Sequence, residues 1–246
     1  MTERILYQFP VSHYCEKTRW QMDHKGLPYR TVNLVPVAHR LRTQWLARTN
    51  TVPVLCDGRR RVGDSTKIAY YLEKYYPERP LLPKASDERA RVIELEQQFD
   101  RYGAHVRRWA YGHILDRPEV QAILVGECGL PGPVKRLAGP MVREAIRRGY
   151  AINPRSVMRS EQQVEEALAQ LEKTLQKGDG RYLVGGSFSL ADIAAASMLA
   201  PLVSPKGSPW DLFEEGSLPP ALQAQIEKWR ARPAGEWLLA RYSEDR

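Results

Sequence analysis

Ser12, Tyr14 and Cys15 fall close together in the run Ser12-His13-Tyr14-Cys15-Glu16-Lys17. Two hydroxyls and a thiol in so short a span suit chemistry on sulfur. The run follows the short apolar stretch Ile5-Leu6-Tyr7-Gln8-Phe9 and precedes a helix-like segment closed by Gly26. A helix N-terminus presents unpaired N–H groups and the positive end of the helix dipole. Both favour an anion there, whether phosphate, carboxylate or thiolate. Asp64-Ser65 is a second such point, a capping pair placed directly before an apolar helical stripe.

The spacing of apolar residues supplies the elements that must hold these groups. Strands are expected at 4–9, 29–34, 52–55 and 59–62, the last two joined by the Asp57-Gly58 hairpin turn. Helices are expected at 14–25, at 38–48 with Leu41, Trp45 and Leu46 as the buried stripe, and after Asp64, with Ile68, Tyr71, Leu72 and Tyr75 inward. The order β-α-β-α-β-β-α implies a mixed four-stranded sheet with helices on both faces. Pro77, Pro80 and Pro83 then mark a linker. Only helices are expected beyond it. A long one begins at Asp87, with Phe99, Tyr102, Val106 and Trp109 on one stripe. A basic piece covers Val142 to Arg148 in the Gly/Pro-rich region 128–156. Another helix starts with Ser160 and Gln163 as a capping box. Ser189 and Asp192 cap the apolar run that ends at Leu202, and two further helices lie near 220–231 and 234–242. The segments divide into 1–80, a linker at 81–86, and an all-helical domain at 87–246.

The chain has 246 residues with 43% hydrophobic and 27% charged, a globular balance that argues against disorder. No apolar run reaches the roughly 20 residues of a membrane helix, and the N-terminus lacks a signal-peptide core. A cytoplasmic location without membrane contact is the expectation. Cys15, Cys56 and Cys128 form no CxxC pair, and the histidines offer no helical metal pair, so no metal is expected. The net charge of +8 is concentrated in the N-terminal third. A small anionic ligand explains that surplus more economically than nucleic acid, because no aromatics interleave with Arg59-Arg60-Arg61.

Four pieces in this order, Ser12-His13-Tyr14-Cys15, Val52-Pro53, Asp64-Ser65 and Ser189 with Asp192, make the chain resemble the cytosolic glutathione transferases over essentially its whole length. The Ser-His-Tyr-Cys-Glu-Lys form is most similar to bacterial members near the chi class. The resemblance implies an α+β thioredoxin-like domain followed by an all-α domain. It also implies glutathione as co-substrate, an apolar electrophile in a pocket to which the helical domain contributes, a detoxification role and a homodimer.

The resemblance also assigns roles to residues. Ser12 would hydrogen-bond the glutathione sulfur and favour its thiolate; Cys15 and Tyr14 are alternative catalytic groups. A cis Val52-Pro53 bond would turn the Val52 backbone toward the cysteinyl unit. Ser65 would bind the γ-glutamyl carboxylate, and Asp64 would face its ammonium. His39 and Arg40 would meet the glycyl carboxylate. Tyr102, His105 and Trp109 would line the electrophile pocket, although a core stripe explains the same spacing. Ser189 and Asp192 belong to folding. Two other functions share these residues: a glutathione-dependent thiol-transferase or reductase using Cys15, and a ligand carrier without turnover.

Overall fold

The computed structural model describes residues 3–126, 132–178, 180–213 and 217–246. Cys128 and Asp179 lie outside the described residues. The chain divides into two compact units, one of Met1–Arg79 with Ile114–Ile152, the other of Pro80–His113 with Asn153–Arg246.

The first unit is built on β1 (Arg4–Gln8), β2 (Arg30–Asn33), β3 (Val54–Asp57) and β4 (Arg60–Gly63), in the spatial order β2-β1-β3-β4. β1 runs parallel to β2 and antiparallel to β3, and β3 pairs antiparallel with β4. This is the mixed four-stranded sheet the sequence implies. α1 (His13–His24) and α3 (Ser65–Tyr75) pack on each other. One apolar layer joins Met22, Leu55, Ile68 and Leu72; another joins Tyr7, Val54 and Cys56 with Leu46 and Ala47 of α2 (His39–Ala47). Gly26, at φ 64, closes α1 with the left-handed turn in which the Leu27 amide reaches back to Met22 O at 3.0 Å.

α2 reverses the expected stripe. Leu41 is 83% exposed and Trp45 75% exposed, whereas Thr43 is buried and Leu46 and Ala47 meet the sheet. In a helix of only nine residues, two apolar side chains on one face do not fix which face turns inward. α2 packs against β3 and β4, with Leu46 and Ala47 meeting the layer of Tyr7, Val54 and Cys56. The chain enters α2 through Val37 at φ 74, a conformation that costs a β-branched residue about 1–3 kcal/mol. α5 (Pro118–Gly126), not foreseen from the sequence, packs on α6 (Gly132–Gly149), and Arg147 forks onto Asp116 at 2.8 and 2.9 Å.

The second unit holds α4 (Ser86–Ile114), α7 (Pro154–Leu175), α8 (Leu190–Val203), α9 (Pro220–Arg230) and α10 (Pro233–Glu244). Its core includes Val92, Leu95, Phe99 and Val106 of α4, Val164, Leu168 and Leu171 of α7, and every residue of α8. A second expectation fails at α7. The helix begins at Pro154, and its capping box is Asn153 with Ser156. Ser160 sits one turn later, fully buried, and its hydroxyl meets His105 Nδ1 at 3.3 Å and accepts from Arg108 at 3.2 Å. α8 starts as expected: Asp192 accepts from the Ser189 amide and hydroxyl and from the Leu183 amide, at 2.7–2.8 Å.

Candidate functional site

Strand register brings three segments to one end of the first unit's sheet. Tyr7 near the end of β1 pairs with Val54 at the start of β3, and Val54 pairs with Gly63 at the end of β4. The chain therefore leaves β1 toward Ser12, enters β3 from Val52-Pro53, and leaves β4 into Asp64-Ser65, all at the same edge. The Val52-Pro53 peptide bond is cis. Pro53 O accepts the Asp64 amide at 3.1 Å, which joins two of the three segments directly.

Ser12 is the N-cap of α1, in extended conformation and half-buried. Its Oγ accepts the Cys15 amide at 3.4 Å. That bond uses the oxygen as an acceptor, and the same hydroxyl also interacts with the Cys15 sulfur. Cys15 is fully buried, and burial pushes its thiol pKa up; the Arg19 guanidinium and the Ser12 hydroxyl only partly oppose this. At neutral pH the group is a thiol with no path to solvent, the opposite of a reactive cysteine. Tyr14 is half-buried with its ring 4.6 Å from that of His13. Tyr7 is a core residue whose hydroxyl accepts from Arg42 Nη2 at 3.2 Å.

At the start of α3, Asp64 adopts φ 81 and ψ 128, outside the regions open to ordinary residues. The bend places its carboxylate over the helix end, where Oδ1 accepts the Thr66 and Lys67 amides at 3.1 and 3.0 Å. Asp64 itself is exposed, and Ser65 beneath it is buried. Lys17 Nζ donates to Thr66 Oγ1 at 3.2 Å and so ties α1 to this helix end. Neither Lys17 nor Thr66 was singled out from sequence. The signal for Lys17 was a cation one turn into a helix that is otherwise almost wholly buried.

His39 Nε2 lies 2.9 Å from Asn50 O, and its ring stands edge-on to Phe9 at 4.8 Å. Burial pulls the His39 imidazole pKa below its ordinary value, so the ring is neutral at pH 7 and donates Nε2–H to that carbonyl. Arg40 beside it is exposed and forms no ion pair among the described residues.

In the second unit, Trp109 is buried against Trp229, with ring centroids 4.7 Å apart. Tyr102 and His105 are half-buried, the former beside Phe99 and the latter on Ser160. Burial raises the Tyr102 phenol and lowers the His105 imidazole. Among the described residues no cluster of acidic, histidine or cysteine side chains could hold a metal ion, and no helix is long and apolar enough to cross a membrane.

Residues 6–80 match the family model of the glutathione S-transferase N-terminal domain, and residues 140–232 match that of the C-terminal domain. Protein LigF of Sphingobium sp. is 27% identical over 243 residues, covering 93% of this chain and 90% of LigF. The LigF crystal structure, described as a beta-etherase, has a TM-score of 0.61 at 24% identity over 97% of this chain and 99% of that one. A glutathione S-transferase from Rhodospirillum rubrum superposes with a TM-score of 0.62 at 22% identity, covering 96% and 91% of the two chains. One from Methylobacterium radiotolerans, in complex with glutathione sulfonate, gives 0.58 at 22% identity over 96% and 93%.

Proposed function

Because the chain belongs to the glutathione S-transferase family, we propose that it binds glutathione at the sheet edge formed by Ser12, Val52-Pro53 and Asp64-Ser65, and transfers its sulfur to small apolar electrophiles. The observation that carries this reading is the convergence of those three segments, with a donor hydroxyl at Ser12.

A free thiol of pKa about 8.5 is mostly protonated at pH 7. Ser12 O–H donating to the glutathione sulfur, together with the amides at the start of α1, favours the thiolate. The thiolate attacks the electrophilic carbon; a C–S bond forms and the leaving group departs with the electron pair. In this reading the Ser65 hydroxyl and amide hold the γ-glutamyl carboxylate. Asp64 spends Oδ1 on the α3 cap and offers Oδ2 to the ammonium. The Val52 backbone pairs with the cysteinyl unit. Arg40 supplies charge for the glycyl carboxylate, and neutral His39 shapes the pocket through Asn50. Of the three helical-unit residues the resemblance assigns to the electrophile, half-buried Tyr102 and His105 expose side-chain atoms that buried Trp109 does not. The proposed assembly is a homodimer, which light scattering would test.

The burial of Cys15 weighs against thiol-transfer through that residue. LigF, matched along most of its length, favours a specific electrophile class, a carbon bearing an ether oxygen. The thiolate would then displace an alkoxide or phenoxide, which takes up a proton. The test is calorimetric titration with glutathione, followed by conjugation assays with an aryl halide and an aryl ether. Binding with product from either substrate supports the proposal. Absence of glutathione binding would sink it, and binding without turnover would point to a carrier.

A further inference from the structure

We propose that the outward face of α2 docks the protein on an anionic lipid bilayer surface. Val37, Leu41 and Trp45 recur every four residues and are 49%, 83% and 75% exposed. Leu41 and Trp45 lie one turn apart on the same face of α2, and Val37 precedes the helix at φ 74. At 100° per residue, Arg40 and Arg42 project on opposite flanks of that face, and Arg48 follows at the C-terminal end of the helix. These three arginines form no ion pair with a carboxylate among the described residues. Nothing local supplies the missing charge, because the sequence has no Asp or Glu from His24 to Cys56.

This face is held outward. The Arg42 guanidinium lies over the Trp45 ring at 5.1 Å while Arg42 Nη2 donates to Tyr7 OH at 3.2 Å. The indole is therefore stacked on an anchored cation and does not fold back onto the sheet. An exposed Trp and Leu pair, with the Arg42 cation stacked on the indole and exposed Arg48 at the helix end, is the chemistry of a helix that lies in the headgroup region, its apolar side chains sunk and the Arg48 guanidinium on a phosphate. Each arginine near an anionic surface adds attraction that decays within a Debye length. A second copy of the chain fits poorly, since the same arginines would face one another. This contact is peripheral and needs no spanning segment, so it is compatible with the absence of a long apolar helix.

The test is co-sedimentation of the full chain with vesicles of phosphatidylcholine alone or mixed with phosphatidylglycerol. The wild type is expected to pellet with the mixed vesicles only, and to be released by about 1 M salt, where the Debye length falls to about 3 Å. The double variant L41S/W45S is expected to lose about ten-fold or more in partitioning, and R48E several-fold. All three positions are exposed, and unchanged melting temperatures would show that the fold is kept. The proposal is overturned if the wild type ignores the mixed vesicles, or if L41S/W45S pellets as the wild type does. Retention on immobilised polyglutamate in place of vesicles would assign the face to an acidic protein and also overturn it.

Discussion

The carbonyl of Pro53 accepts the backbone amide of Asp64 at 3.1 Å. This one bond couples the segment entering β3 to the segment opening α3. Substitutions at Asp64 therefore read out the geometry of the sheet edge as well as the helix cap.

Asp64 carries two separable effects, its cap and its backbone. Asp64→Ala removes the acceptor of the Thr66 and Lys67 amides and keeps a side chain at φ 81. Asp64→Gly removes the same acceptor and relaxes the backbone. Thermal or urea unfolding should show a loss of about 1–2 kcal/mol for the alanine variant and a smaller loss for glycine. Equal losses would mean that the backbone stores no strain. Both variants should weaken glutathione binding.

Ser12→Ala should lower turnover by about ten- to a thousand-fold, the range for removing one hydroxyl donor to a developing anion. The KM for glutathione should change by less than about three-fold. Steady-state kinetics decide the matter. An unchanged kcat would move the activating role to Tyr14, with Tyr14→Phe as the next variant.

Cys15→Ala should retain conjugation activity and cost about 1 kcal/mol in stability for the lost sulfur volume. Incubation of the native protein with oxidised glutathione, followed by mass spectrometry, should find no adduct at Cys15. An adduct formed at the rate of an exposed thiol would restore the thiol-transferase reading.

Asp192 adds a pH dependence that can be isolated by comparison with Asp192→Asn. Burial raises the Asp192 carboxyl to about 6, against the opposing hydrogen bonds from Ser189 and Leu183. The unfolded value is about 3.9. Between these values the folded state holds a proton that the unfolded state has released, so unfolding free energy falls as pH rises. The stabilising contribution is complete below about pH 4 and lost as pH climbs through about 6. Asparagine does not titrate. The stability of the wild type relative to Asp192→Asn should thus shrink by up to roughly 3 kcal/mol between about pH 4 and pH 7. Urea titrations across that range measure it; a gap that widens with pH would contradict the assignment.

Short polar signals were the most legible part of the fold. Asp64 and Ser189 announce their helices because a capping side chain acts on amides two or three residues away, entirely within local sequence. The β3–β4 hairpin was legible for the same reason, through the Asp57-Gly58 turn. The face of α2 was not, since its orientation depends on contacts with β3 and β4 and not on its own nine residues. The start of α7 is set by a local signal that competes with Ser160. Asn153-Pro154, an N-cap followed by a proline whose missing N–H costs nothing at the first turn, outweighs Ser160 with Gln163. In the candidate site, Lys17 and Thr66 meet across 49 positions of sequence, a distance that no local pattern spans.

The burial of the cysteines has a consequence for durability. Under the proposed function the chain would meet the electrophiles that glutathione traps. Cys15 and Cys56 are both enclosed, and burial raises both thiols. Each therefore offers little thiolate and little access to an alkylating agent. Under the proposed function, with a hydroxyl as the activating group and the reactive sulfur carried by a dissociable co-substrate, alkylation would consume glutathione and spare these two cysteines.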